Sequence, residues 1–287
     1  MKKNHKLPLS MVLSGGVLLI IILATLLATL SPYDPIAVET GQKFLPPSAQ
    51  HLLGTDNFGR DTFTRLLYGG RVSLLVGFLS MLISIVFGTV YGIVSGSSGK
   101  LVDGFMMRIV DIIYSLPDML MVVLLSVVLR EIINVDAFPA LQKIGTNMIS
   151  MFIVFALLYW TGMARMVRGQ ILTVKQNEYI LAARVSGAKD SRIIRRHILP
   201  NIVSVIIIAA ALQIPSAIFT ESFLSFIGLG VQAPMPSLGS LANEARAGIT
   251  QYPYKLLFPA GMICLITLAF NLLGDGLRDA FDPKLRR

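Results

Sequence analysis

The chain has 287 residues, of which 54% are hydrophobic and only 14% are charged. A soluble globular protein carries about 25% charged residues, and a mean hydropathy of +0.70 over the whole chain is too apolar for a water-soluble fold. This composition excludes a disordered protein, a disulfide scaffold and an ordinary cytosolic enzyme. Cys264 is the single cysteine, which excludes an intrachain disulfide and a cysteine-based zinc site.

Six apolar stretches predict six transmembrane helices. Each is long enough to cross about 30 Å of hydrocarbon as an α-helix. The third reaches its length only if Asp118 is tolerated inside it. Strands of a membrane barrel would instead alternate polar and apolar residues over about ten positions. The sequence therefore predicts an all-α integral membrane protein with spans at 7–33, 72–99, 112–129, 144–164, 198–220 and 256–274.

The charges between the spans predict the orientation. Of the 25 Lys and Arg residues, 17 fall on the side of the two termini and 8 on the other side, whereas the acidic residues divide evenly. Because basic residues accumulate in cytoplasmic loops, both termini are predicted to be cytoplasmic. The net charge of +9 is then explained by topology rather than by binding to nucleic acid. We divide the chain into a first span with an external segment, 1–71, and a five-helix core, 72–287.

The basic cytoplasmic loop at 165–200 predicts two short helices joined by a turn. The first, at about 175–186, consists of good helix formers, and Gly187 is placed to end it in a left-handed conformation. Asp190 or Ser191 is expected to cap the second helix. Pro200 is expected at the start of the next span, where its missing N–H has no consequence.

Two interpretations of this loop remain open on residue chemistry alone. The small residues Ala182, Ala183 and Ala188 would give the turn a smooth surface that fits a groove on another protein, with Arg184 and Lys189 at its flanks. Alternatively, the basic residues contact only lipid headgroups. The order of the alanines, the glycine and the Leu-Pro pair favours the protein-docking interpretation.

This order of residues resembles the coupling loop of membrane subunits of bacterial ABC importers. The resemblance rests on Ala182-Ala183, Gly187 and the 198–200 sequence Ile-Leu-Pro; the acidic residue of the family motif falls on Leu181, with Glu178 nearby. It implies that the loop docks into an ATPase subunit and transmits its closure to the pore. The implied coupling residues are Glu178, Ala182, Ala183, Arg184, Gly187, Ala188, Lys189, Asp190, His197 and Pro200.

Three further stretches resemble the dipeptide/oligopeptide/nickel importer family. They are the 51–74 segment around Gly-Thr-Asp, the 221–236 segment that begins Glu-Ser-Phe-Leu, and the 271–283 segment that begins Asn-Leu-Leu-Gly. The additional N-terminal span is similar to that of the C-type permease of this family. The resemblance implies a type I importer fold and four kinds of partner: a B-type permease, two ATPases, an external binding protein and the bilayer. ATP and Mg²⁺ would bind to the ATPases, and no cofactor to this chain.

Polar residues near the spans give a second group of candidates. Asp118, Gln213 and Glu221 are candidates for the translocation path or its gate, since a carboxylate within a span costs a few kcal/mol unless it is paired or faces water. The alternatives are an interfacial structural pair for Asp118 and capping of a helix end for Glu221. Arg108 and Asp111 lie three residues apart and are expected to pair.

The external segment also allows two interpretations. Gly54-Thr-Asp56 is typical of a turn with local side-chain hydrogen bonds. Arg60, Asp61 and Arg65 follow it and either contact a binding protein or partner permease, or only position the second span. The three histidines fall on different loops and sides, which disfavours a metal site.

No enzyme motif is present in the chain. The sequence at 95–101 lacks the first Gly and the final Ser or Thr of a phosphate-binding loop, and no hydrolase motif occurs. The residues therefore favour a permease that takes its energy from partner ATPases. Peptides are the first expected cargo and nickel the alternative. A membrane scaffold or sensor that holds ATPases without transport is a more distant alternative.

Overall fold

The computed structural model describes residues 9–133, 145–232 and 234–281. Several sequence-based predictions lie outside these residues. They concern the basic residues of the first eight positions, most of the external loop at 130–143, Ala233, and the basic C-terminus at 284–287.

The described residues form nine helices and a separate 3₁₀ turn at Thr40–Gln42, and none of them belongs to a β-strand. Their order and bounds are α1 Leu9–Leu26, extended by a 3₁₀ turn at Leu27–Leu30, α2 Thr62–Ser97, α3 Lys100–Tyr114, α4 Asp118–Ile132, α5 Thr146–Lys175, α6 Glu178–Val185, α7 Asp190–Phe226, α8 Leu238–Arg246 and α9 Tyr254–Phe281.

Five of these helices, α1, α2, α5, α7 and α9, are long and apolar enough to cross a membrane. They match five of the six predicted spans. Helix α1 is shorter than predicted, whereas each of the other four extends past a predicted limit on at least one side, because charged residues within the helices do not end them. Helix α7 begins at Asp190, ten residues before Pro200. A π-helical turn at Ile194–Ile198 precedes the regular α-helical part of α7, Leu199–Phe226, and Pro200 lies in the first turn of that part. The prediction that Pro200 lies at the start of this α-helix is confirmed, although helical structure continues on its N-terminal side as far as Asp190.

The third predicted span is broken. Helices α3 and α4 meet at an angle of 85°, and only as a bent pair do they form a sixth candidate span. Pro117 explains the break, since it lacks an N–H and disfavours a helical conformation at Leu116 before it. Asp118 consequently opens a new helix instead of lying within a continuous one.

A row of glycines sets the close packing of α2 against α5. Gly88, Gly92 and Gly96 recur every fourth residue, so they lie on one face of α2. A Cβ atom on Gly92 would lie 2.7 Å from the Ala164 carbonyl oxygen, and one on Gly88 would lie 2.5 Å from Cβ of Met163. Small residues at this spacing let two membrane helices approach backbone to backbone.

Candidate functional site

The cytoplasmic elbow, residues 178–200, has the predicted turn. Gly187 has a φ of +80°, and the Ala188 N–H donates to the carbonyl of Ala183 at 3.1 Å while the Ser186 N–H donates to that of Ala182. These bonds close the end of α6 around Gly187, which has a left-handed backbone conformation. Glycine adopts this conformation without strain. The prediction for Gly187 is confirmed.

The predicted cap of the second helix is wrong. Lys189 occupies the position before α7 and has no side-chain capping bond, whereas Asp190 is the first helical residue. A carboxylate in the first turn still interacts favourably with the positive end of the helix dipole. The Asp190 side chain lies 3.5 Å from Arg184 in an exposed ion pair.

Buried isoleucines attach the elbow to the transmembrane helices. Ile180 of α6 and Ile193 of α7 are almost fully buried, and they join a cluster that includes Ile171 of α5 and Ile202 of α7. A movement of α6 must therefore move the cytoplasmic ends of α5 and α7, because packed side chains resist separation.

The exposed face of the elbow differs from the predicted one. Ala183 and Ala188 are half-buried and pack inward against the isoleucine cluster. Val185 is 90% exposed. The outward face also contains Glu178, Ala182, Arg184, Gly187, Lys189, Asp190 and Pro200, whereas His197 is half-buried. Tyr179 and Leu181 of α6 are also exposed, and a group of exposed apolar residues marks a contact with a protein or a membrane.

A second set of contacts holds the cytoplasmic ends of α2, α3 and α5 together. The carboxylate of Asp103 accepts hydrogen bonds from Arg168 at 2.5 and 2.9 Å and from Ser95 at 2.6 Å. Lys175 donates to the Gly96 carbonyl at 2.7 Å. Asp111 pairs with Arg165 at 2.9 Å, so the predicted Arg108–Asp111 pair is wrong.

A cavity of about 730 Å³ opens between α3, α4, α5, α7 and α9. Asp118 and Gln213 line it, together with Tyr159, Thr220, Thr267 and Asn271, in a wall that is otherwise largely apolar. The structure thus brings together two of the three predicted path residues. Tyr159, Thr267 and Asn271 were missed, because single polar residues inside apolar stretches have no distinctive sequence pattern.

The Gln213 side chain also has a structural role at the wall of this cavity. Its Nε2 donates to the Tyr159 carbonyl at 2.8 Å, and its Oε1 accepts from the Ser84 hydroxyl at 2.7 Å. Ser84 also contacts the Tyr159 carbonyl, at 3.0 Å. These bonds join α2, α5 and α7 where the membrane offers no water to satisfy polar groups.

Glu221 does not line this cavity and is fully buried. Its carboxylate accepts hydrogen bonds from Ser73 at 2.6 Å, from Ser225 at 2.7 Å and from Ser222 at 3.3 Å. Helix α7 continues past it to Phe226, so Glu221 does not cap the end of a helix. Its hydrogen bond with Ser73 anchors α7 to α2.

The external segment is held by a network of buried charges. Arg60 and Arg65 are 5% and 1% exposed, and both bind Asp56 and Glu244. His51 contacts Asp61 and Gln42 at 3.0 Å each. Burial of Asp56 by itself raises the pKa of its carboxyl. The backbone N–H of Arg60 and the nearby Arg65 outweigh this effect and lower the pKa below its usual value.

These contacts support the structural interpretation of Arg60 and Arg65. Their guanidinium groups are used inside the chain and are not free to meet another protein. The partner of both arginines, Glu244 on α8, was not foreseen. Within the described residues, no three His, Cys, Asp or Glu side chains form a group that could hold a metal ion.

Apolar helices of spanning length around a cavity with polar groups in its wall define the class of integral membrane transport proteins. The sequence signature of the family described as "binding-protein-dependent transport system inner membrane component" matches residues 88–287. The chain belongs to this family and is therefore a multi-pass inner-membrane component of a bacterial ABC importer.

Two relatives with permease functions are similar to the chain over most of its length. It is 44% identical over 271 residues to the dipeptide transport system permease protein DppC of Bacillus subtilis (strain 168), which covers 94% of this chain and 80% of the relative. It is 42% identical over 274 residues to the oligopeptide transport system permease protein OppC of the same organism, with coverages of 94% and 85%.

A solved structure gives the fold. The MetNI methionine ABC transporter in an inward-facing conformation matches with a TM-score of 0.57 at 19% identity, over 76% of this chain and 96% of that one. The predicted all-α, type I permease fold is confirmed.

Proposed function

We propose that this chain is the C-type permease subunit of an importer for dipeptides or oligopeptides. The identity of 42–44% to permeases named for these cargoes supports this proposal most strongly. The cavity of about 730 Å³, with hydrogen-bonding groups in an apolar wall, has a size and chemistry that suit a short peptide.

The proposed assembly contains a second, B-type permease, two ATPase subunits and an external binding protein. ATP and Mg²⁺ bind to the ATPases, and this chain binds no cofactor. The binding protein delivers the peptide from outside the cell. The cavity then opens alternately to each side of the membrane.

The elbow couples ATP hydrolysis to this cycle. Closure of the ATPases displaces α6, with Glu178, Ala182, Val185, Gly187 and Lys189 at the contact. The displacement passes through Ile180 and Ile193 to α5 and α7. Both helices contribute walls of the cavity, through Tyr159 and Gln213, so a shift at the elbow changes access to the cargo.

The test is uptake in cells that lack the gene and are complemented with it. Labelled dipeptide, labelled pentapeptide and radioactive nickel are supplied in parallel. Loss of peptide uptake in the deletion strain, restored by the wild type and not by Gly187→Pro, is the expected result. If the deletion abolished nickel uptake alone, nickel would replace peptides as the proposed cargo. If the deletion affected the uptake of none of the three compounds, a scaffold or sensor would be favoured.

A further inference from the structure

The cavity contains one uncompensated charge. Of the described residues that line it, Asp118 is the only Asp, Glu, Lys, Arg or His. The other polar groups of the wall are neutral amides and hydroxyls. A single fixed charge in a largely neutral wall sets the sign of the cargo group that it attracts.

The helix break presents this carboxylate to the cavity. Because α4 begins at Asp118 after an 85° bend, its first turn faces the cavity, and Met119 and Val122 line the same wall. Asp118 is exposed, and the described residues provide no ion pair or hydrogen bond to its side chain.

Two other carboxylates of the same region differ in this respect. Asp103 is paired with Arg168, and Asp111 is paired with Arg165. A carboxylate at membrane depth is costly unless it is paired or faces water. Asp118 has no partner among the described residues and faces the cavity, so its carboxylate is available to bind a group of the cargo.

A neutral group of the same wall has free hydrogen-bonding capacity. No described contact uses the side-chain amide of Asn271, which is exposed and lines the cavity. A peptide carries one ammonium group and a series of amide N–H and C=O groups. The wall thus offers a carboxylate for the ammonium and a neutral partner for the amides.

We propose that Asp118 binds the ammonium group of the peptide during its passage and makes the permease itself selective for cargo with a free amino terminus. This inference rests on the proposed function. A charge-assisted hydrogen bond between carboxylate and ammonium is stronger than a neutral one. In a water-filled cavity this hydrogen bond can still break and exchange with water, so the peptide can leave, as a transport site requires.

The test uses proteoliposomes that contain the complete transporter with its binding protein. Uptake of alanyl-alanine is compared with that of propionyl-alanine, which lacks only the ammonium group, in the wild type, Asp118→Asn and Asp118→Glu. Asp111→Asn is the matched control, since it removes the same charge at a carboxylate that does not line the cavity. ATP hydrolysis stimulated by the peptide-loaded binding protein is measured in the same preparations.

Asp118→Asn is expected to lower alanyl-alanine uptake about tenfold and to leave propionyl-alanine uptake and the stimulated ATP hydrolysis near wild type. Asp118→Glu should restore most of the uptake, and Asp111→Asn should retain the wild-type ratio of the two cargoes. An unchanged cargo ratio in Asp118→Asn would overturn the proposal, as would an equal loss for both cargoes with loss of ATP hydrolysis. Absence of peptide uptake by the wild type would instead overturn the proposed function.

Discussion

The guanidinium of Arg65 and the carboxylate of Glu244 form a two-point ion pair across the external face of the protein. Nη1 of Arg65 lies 2.6 Å from Oε2 of Glu244, and Nη2 lies 3.0 Å from Oε1. The two residues are 179 positions apart in the chain and join α2 to α8. Asp56 contacts the same Nη1 at 2.5 Å, so one arginine holds the external segment, α2 and α8 together.

Replacement of Arg65 by alanine is expected to destabilise the protein strongly. The substitution leaves Asp56 and Glu244 with Arg60 as their one remaining arginine partner, and the loss of one member of a buried ion pair costs about 3–5 kcal/mol. Thermal unfolding in detergent measures the change. Arg71→Ala is the control, since Arg71 is exposed, and its expected effect is within about 0.5 kcal/mol. Equal effects of the two substitutions would contradict the importance of the buried network.

The same network predicts an acid sensitivity of the external face. Because the pKa of Asp56 is lowered in the folded protein, its contribution to stability is present at neutral pH. That contribution is lost as the pH falls below the usual carboxyl value of about 4. The protection factor against hydrogen exchange at the first turn of α2, which corrects for the intrinsic pH dependence of exchange, should fall on acidification. In Asp56→Asn the protection factor should be lower at neutral pH and should change less with pH; an identical pH response would refute the role of Asp56.

Substitution of Gly92 in the glycine row of α2 is expected to cause a steric clash, whereas the same substitution at Gly104 on α3 is not. Gly92→Val would place side-chain atoms against the Ala164 carbonyl and Val167, and overpacking of this kind costs about 1–3 kcal/mol. Gly104→Val on α3 meets open space, with no neighbouring atom within 4 Å of its Cβ position. The melting temperature of the purified complex should fall for the first variant and change little for the second.

Glu221 offers a test between an anchor and a gate. Glu221→Gln retains an acceptor for the serine hydroxyls of its surroundings, whereas Glu221→Leu leaves them unpaired at a cost of about 1–3 kcal/mol. An anchor predicts that Glu221→Leu lowers thermal stability and that Glu221→Gln transports near the wild-type rate. Glu131→Leu, at an exposed position, controls for loss of charge. A stable Glu221→Gln protein with abolished transport would favour a gate.

Much of the fold could be predicted from the sequence because the membrane imposes simple length and composition limits. Five spans and the turn at Gly187 followed from apolar runs and one glycine. The third span did not, because apolar length was given more weight than the local effect of Pro117. The same proline places Asp118 at the cavity rather than inside a helix.

The features that the sequence did not reveal depend on contacts between distant segments. The pairing of Arg65 with Glu244 requires the arrangement of α2 and α8, which no local pattern encodes. The burial of Ala183 and Ala188 depends on how α6 packs on α5 and α7. The glycine row at 88, 92 and 96 was visible as a four-residue spacing, and this pattern alone would have indicated a close helix contact.

The central claim is that the elbow couples ATP hydrolysis to peptide import. Gly187 has a positive φ, which costs a non-glycine residue about 1–2 kcal/mol and is worst for β-branched side chains. Gly187→Val should therefore distort the elbow, whereas Gly187→Asn should retain it, since asparagine adopts this conformation more readily.

The most direct measurement is the number of ATP molecules hydrolysed per peptide imported by the complete transporter in proteoliposomes. The account predicts that Gly187→Val raises this ratio several-fold while the protein remains folded in the membrane, and that Gly187→Asn stays near the wild-type ratio. A wild-type ratio in Gly187→Val would contradict the assignment of the elbow as the coupling element.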